Sequence, residues 1–163
     1  MTTSEQTGIT YLPPGAGEAL WVLGDQVTLK ADGTRDGVTF FVGTISPGGG
    51  PPPHVHDQMD EVHYVLDGTL SFLGGETWQE AAAGSYIYIP RGVVHTFRNS
   101  GTEPARLLST NNGPGGHERW FRHVGVPIAD FATFTPPTTP PNQADVFASA
   151  AAADIHLMIP EHA

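Results

Sequence analysis

The sequence predicts an all-β fold, a sandwich or jelly roll, and three observations carry that expectation. Apolar segments before residue 115 are short, rich in β-branched and aromatic residues, and bounded by Gly, Pro, Asn or Asp. Helix-period patterns are scarce over the same stretch. Twenty glycines and fifteen prolines in 163 residues imply many turns, without reaching the level that signals disorder. With 39% apolar residues the chain can build one core, so one domain is expected over 1–163, with a β core at about 20–112 and an extension over 113–163.

The first expected strand covers residues 20–30 and is closed by Ala31-Asp32-Gly33. Val38–Ile45 is denser in β formers and runs into the Gly- and Pro-rich stretch 46–53. Strands at 61–66 and 69–73 flank Asp67-Gly68, whose tolerance of positive φ predicts a tight hairpin. Gly74-Gly75 closes the second of these. Further strands are expected at 85–89, before Arg91-Gly92, at 95–99, ending at Asn99-Ser100-Gly101, and at 105–110. Short strands at this spacing suit a sandwich or jelly roll. Beyond residue 116, His117–Val124 reads as a short helix with Trp120, Phe121 and Val124 on its apolar side. After the proline-rich residues 136–141, Asn142 can cap a helix reaching about Ala153, in which Val146 and Phe147 supply an apolar contact. This tail is expected to pack on the outside of the β region, with Trp120 and Phe121 covering a barrel end or serving as a lid.

Charge narrows the function classes. Seventeen acidic and seven basic residues give a formal charge of −10, and Lys30 is the one lysine. Such a surface repels phosphate backbones, so nucleic acid is not an expected partner. No apolar run approaches the roughly 18–20 residues of a membrane span, and residues 1–8 lack the basic and apolar regions of a secretory signal, so a cytoplasmic protein is expected. Cysteine is absent, which excludes disulfides, thiolate nucleophiles and thiolate metal sites. Any metal must be held by nitrogen and oxygen, and eight histidines outnumber all lysines and arginines together.

The histidines are patterned. His54 and His56 are two apart, which in an extended strand places both imidazoles on one face, about 6–7 Å apart along the chain. Glu61 opens the next strand, and His95 begins another just after the turn forced by Pro90 and Gly92. Three neutral imidazoles and one carboxylate suit a divalent first-row ion and leave positions open for water, substrate or dioxygen. His63 shares strand parity with Glu61 and points inward, either as a hydrogen-bond partner of the site or substrate contact, or as a buried histidine bonded to backbone. Phe97 shares a face with His95 and can line the pocket. One of the pairs Tyr86 and Tyr88 or Ile87 and Ile89 faces the interior. His117, His123, His156 and His162 lack ligand spacing and read as surface residues.

These two stretches resemble the two motifs of the cupin superfamily. The first, G-x5-H-x-H-x4-E-x6-G, is matched by Gly48, His54, His56, Glu61 and Gly68; the second, G-x5-P-x-G-x2-H-x3-N, by Gly84, Pro90, Gly92, His95 and Asn99. The resemblance covers about residues 38–110 and implies a cupin double-stranded β-helix, a jelly-roll barrel with short C-terminal helices and a metal inside. Residues 48–53, the Tyr64–Gly68 turn and the 117–124 segment look like single-domain, quercetin dioxygenase-like bacterial cupins. By that likeness His54, His56, Glu61 and His95 are the metal ligands, the same four that the spacing picks out.

The inner charge of such a site is positive by one, which favours a deprotonated hydroxyl or enolate. Glu61 can act as ligand and base, and His63 and Phe97 as substrate contacts. The resemblance implies a metal-dependent dioxygenase cleaving a flavonol-like (quercetin-type) or other enolisable aromatic with O2. A second reading is a non-redox zinc cyclase or isomerase for a polyketide-like or sugar substrate, and a third is a small-molecule-binding cupin without catalysis. Iron, manganese, nickel, cobalt and zinc all suit the donor set. Barrels of this family pair through edge strands, so a homodimer is expected, with residues 20–30 as a contributor.

Overall fold

A computed structural model describes residues 9–34, 37–113 and 116–158. In chain order the strands are β1 (Glu18–Val22), β2 (Asp25–Asp32), β3 (Val38–Ile45), β4 (His54–Val55), β5 (Asp60–Asp67), β6 (Thr69–Gly74), β7 (Thr77–Ala82), β8 (Tyr86–Ile89), β9 (His95–Arg98) and β10 (Ala105–Asn112). The C-terminal part adds α1 (His117–Val124), β11 (Val126–Pro127), α2 (Gln143–Ala151) and β12 (His156–Leu157). Two antiparallel sheets result, one ordered β11-β1-β2-β3-β10-β5-β8 and the other β12-β4-β9-β6-β7. No helix among the described residues is long and apolar enough to cross a membrane.

Two turns differ from expectation. Residues 20–30 are not one strand: β1 and β2 form a hairpin in which Val22 pairs with Asp25 across Leu23 and Gly24. Both loop residues have positive φ, 51° and 108°, the conformation a two-residue turn demands. Leu is a poor residue for that role, so the sequence carried no turn signal at position 23. Conversely, Asp67-Gly68 is not a hairpin, because β5 and β6 lie in different sheets. Gly68, at φ 75°, turns the chain through a corner, and a Cβ there would meet the Cβ of Ala105 at 2.9 Å. Strand β7 was not expected, since its TWQEAA sequence is largely exposed and carries little apolar alternation.

Burial divides into two apolar clusters. Leu20, Val22, Val27, Leu29 and Phe41 pack with Trp120, Phe121, Val146 and Ile155. Ile45, Val65, Leu70, Phe72 and Leu107 form the second group. The C-terminal elements therefore complete a core rather than only dressing the outside of the barrel. β11 pairs with Leu20 and Trp21 of β1, so that part of residues 20–30 is not a free edge. On β8, Tyr86 and Tyr88 face outward, at 65% and 52% exposure, while Ile87 and Ile89 face in.

Candidate metal centre

Both sheets contribute to one cluster. Strand β4 supplies His54, His56 follows directly after its last residue Val55, β9 supplies His95, and β5 of the other sheet supplies Glu61. His54 is the direct cross-strand partner of His95, which sets their rings 4.3 Å apart. The amide of Gly92, at the turn before β9, donates to the carbonyl of His56 (2.7 Å) and ties the two motifs together. Asn99 is structural: its side-chain amide donates to Ile45 and Glu103 carbonyls and its oxygen accepts from Gly101. All four sequence-predicted ligands are buried, with one donor atom of each within 4.8 Å of the others.

Hydrogen bonding sets the tautomers. The Nδ1 atoms of His54, His56 and His95 lie 2.9, 2.7 and 2.9 Å from the carbonyl oxygens of Pro52, Asp154 and Val93. A carbonyl only accepts, so each Nδ1 carries the proton and each neutral ring offers an Nε2 lone pair to the cluster. Two of those lone pairs meet Glu61: His95 Nε2 is 3.1 Å and His56 Nε2 is 3.6 Å from Glu61 Oε2. Lone pairs facing a carboxylate repel unless a cation lies among them, and one proton relieves only one such contact. Buried His56 Nε2 has no hydrogen-bond partner. The donor set and this geometry fit a divalent first-row ion held by three nitrogens and one oxygen.

Electrostatics distinguish the rings. Burial opposes a proton on His56, yet the Glu61 carboxylate and the Asp154 carbonyl raise it above the ordinary histidine value, so His56 is the ring on which a cation competes with a proton. Burial, followed by the neighbouring His95, pushes His54 down to about 3, so it stays a neutral ligand. Burial alone would raise the Glu61 carboxyl. The neighbouring His63, and hydrogen bonds from His56, His63 and His95 where a proton sits on Nε2, instead hold it well below the usual carboxylate range, and a cation among the same nitrogens acts in the same direction. Glu61 is therefore an anion.

His63 points inward, as strand parity requires, and is buried. It bonds neither backbone nor ligand: its Nδ1 is hydrogen-bonded to the Ser109 hydroxyl, and its Nε2 lies 3.5 Å from Glu61 Oε2 without a hydrogen bond. Phe97 and His63 line, with His54 and Glu61, a cavity of about 170 Å³ between the two apolar clusters. Its remaining walls are mostly apolar and include Val27, Phe41, Ile45 and Leu107, closed on one side by Trp120, Phe121, Ile155 and Leu157 from the C-terminal elements.

Three residues at this site escaped the sequence reading. His117 is not a surface residue: it is buried, its ring is 4.9 Å from that of His56, and it lines the cavity. A signal existed, because residues 117, 120, 121 and 124 form an i, i+3, i+4, i+7 stripe and His117 occupies its first position. Asn111, at the end of β10, donates to His117 Nδ1 (2.9 Å) and sits 3.4 Å from Glu61 Oε1. Asp154, besides accepting a hydrogen bond from His56 Nδ1–H on its carbonyl, accepts the amides of Asp57 and Gln58 on its carboxylate. Of the other histidines, His123 pairs with Asp145 at the surface and His156 pairs with Asp57 at 3.3 Å. His162 lies outside the described residues.

Residues 41–111 match the family model of the cupin domain. Germin-like protein subfamily 2 member 2 of Arabidopsis thaliana is 40% identical over 73 residues, 41% of this chain and 33% of its own length. The pea (Pisum sativum) rhicadhesin receptor is 33% identical over 108 residues, 62% of this chain and 46% of its own. The chain thus spans about a third to just under half the length of these curated relatives. Among solved structures, the polyketide cyclase RemF from Streptomyces resistomycificus superimposes with a TM-score of 0.50 at 26% identity, over 56% of this chain and 66% of its own. A sugar phosphate isomerase from Silicibacter pomeroyi, TM-score 0.51, 22% identity, coverage 55% and 59%, shares the fold.

Proposed function

We propose that this cupin-fold barrel is a metal-dependent enzyme that deprotonates a small, largely apolar substrate bearing an acidic hydroxyl and directs the resulting anion to reaction with dioxygen. The observation that carries the reading is the placement of an ionised carboxylate, Glu61, among three Nε2-presenting imidazoles at the wall of an apolar cavity. When bound, a divalent ion supplies a positive charge that acidifies a nearby hydroxyl and, if redox-active, a route for electrons to dioxygen.

The chain's own groups divide the work. Val27, Phe41, Phe97 and Leu107 bind the apolar body and exclude water, which strengthens every charge interaction inside. Glu61 Oε2 takes the hydroxyl proton. His63, 3.5 Å away with its Nε2 unpartnered, receives it from Glu61, and Ser109 steadies the ring from the far side. Both atoms of dioxygen enter the products as one carbon–carbon bond of the substrate breaks, so no external reductant is consumed. A flavonol-like or other enolisable aromatic compound is the substrate class.

The test loads the protein with iron, manganese, cobalt or nickel and follows oxygen uptake with quercetin and smaller hydroxylated aromatics. Glu61→Gln should lower kcat about 10²- to 10⁴-fold and His95→Ala should abolish turnover with loss of metal. Oxygen uptake by both variants at the parent rate would sink the reading. A second reading, a non-redox cyclase acting on a polyketide-like substrate, is favoured by the likeness to RemF at 26% identity. Turnover under nitrogen with zinc in the site would select it.

A further inference from the structure

We propose that His117 is a specificity-determining hydrogen-bond donor that reads a second oxygen on the substrate, so that the ligand class is an aromatic hydroxy-carbonyl compound rather than a simple phenol. The inference rests on the reading of the cavity as a site for an apolar hydroxyl-bearing molecule and narrows it.

Asn111 sets the tautomer of His117. Its amide nitrogen lies 3.4 Å from Glu61 Oε1 and 2.9 Å from His117 Nδ1. Reversing that amide would set its oxygen against the carboxylate oxygen, so Glu61 fixes the nitrogen toward both neighbours. Nδ1 of His117 must then accept, and the neutral ring carries its hydrogen on Nε2. Among the described residues nothing accepts that hydrogen, although the ring is buried and lines the cavity. Phe41 and Phe121 pack on the ring at centroid distances of 6.1 and 5.5 Å, and His56 at 4.9 Å, so its orientation is locked. Three residues on, on the same helix face, Trp120 also lines the cavity and its buried Nε1 has no partner.

A donor of fixed direction in a mostly apolar cavity, one imidazole away from the cluster, discriminates strongly. An acceptor oxygen on the ligand satisfies it, while a hydrocarbon edge leaves it desolvated and unpaired. One ligand oxygen is handled by Glu61, and a carbonyl on the neighbouring carbon framework faces His117. The apolar walls, which among the described residues include no lysine or arginine, argue against a phosphorylated or sugar-like occupant.

The test uses zinc-loaded full-length protein, 2′-hydroxyacetophenone and its near-isostere 2-ethylphenol, which lacks the carbonyl, with calorimetric titration. The parent should bind the hydroxy-ketone more tightly. His117→Phe should weaken hydroxy-ketone binding by about tenfold or more and change 2-ethylphenol by less than about threefold. His117→Gln, which retains an N–H, should keep most of the preference. If His117→Phe loses zinc or melts early, His117→Met, also without a donor, replaces it. An unchanged ratio between the two probes in the donorless variant overturns the role of His117 alone. Failure of the parent to bind either probe overturns the reading of the cavity itself.

Discussion

Histidine does three different things within a few ångströms here, and the difference is set by what holds Nδ1. Where a carbonyl accepts from Nδ1, as at His54, His56 and His95, the ring presents its Nε2 lone pair and is able to bind a metal. Where a hydroxyl partners it, as at His63, the ring can pass a proton; where an amide donates to it, as at His117, the ring becomes a donor. His117 also shapes acid stability. Burial pushes it down to about 3, against 6.5 for an exposed histidine. Between those values the unfolded chain binds a proton that the folded chain refuses, so the contribution of His117 is intact above about pH 6.5 and is lost as pH falls. In metal-free protein the stability of the parent relative to His117→Gln should drop by about 1 kcal/mol between pH 7.5 and 5.5. Urea midpoints at the two pH values measure it, and a pH-independent difference would mean that the ring protonates in the folded state. The four cluster residues were legible because a strand period and two short turns encode them locally. His117 and Asn111 were not read because their relation to Glu61 is made by packing between α1 and β10.

At the level of elements, the C-terminal segment is as much a part of the site as the barrel strands. β12 pairs with β4, placing His156 against Val55 and Leu157 against His54. Asp154, at φ 62°, turns the chain so that its carbonyl meets His56 while its carboxylate caps the amides of Asp57 and Gln58 at 3.1 and 2.9 Å. Asp tolerates this left-handed conformation, and here local side-chain bonding fixes it. Removing the carboxylate exposes two amides and loosens the loop that carries His56. Asp154→Gly, free of backbone strain, should cost about 2 kcal/mol of stability and weaken zinc binding about tenfold in a chelator competition. Zinc affinity equal to the parent's would show that the barrel alone orients His56. Nothing in the sequence announced this coupling, since β12 is two residues long and 98 positions separate the His56 and Asp154 partners. Hairpin β1–β2 was hidden for another reason: a leucine occupies a left-handed turn position that glycine or asparagine usually marks.

On the scale of the whole molecule, the candidate metal-binding cluster spans the gap between the two sheets. Glu61 projects from β5 in the seven-stranded sheet, while His54 and His95 project from β4 and β9 in the five-stranded sheet. Without a cation the sheets meet at this point through a buried carboxylate and three imidazoles, groups that cost free energy to desolvate and, in their neutral tautomers, face each other with lone pairs. An ion there removes the repulsion and binds only the closed barrel, so its binding energy adds to folding. At a free metal concentration of about 100 times Kd the gain is about 2.7 kcal/mol. For a chain of this length that corresponds to a rise in Tm of about 5–10 °C. Thermal melts of metal-loaded protein with and without a strong chelator should differ by that amount, and the Glu61→Ala variant should show almost no difference. A chelator shift in Glu61→Ala equal to the parent's would place the stabilising ion elsewhere, outside the contact between the sheets.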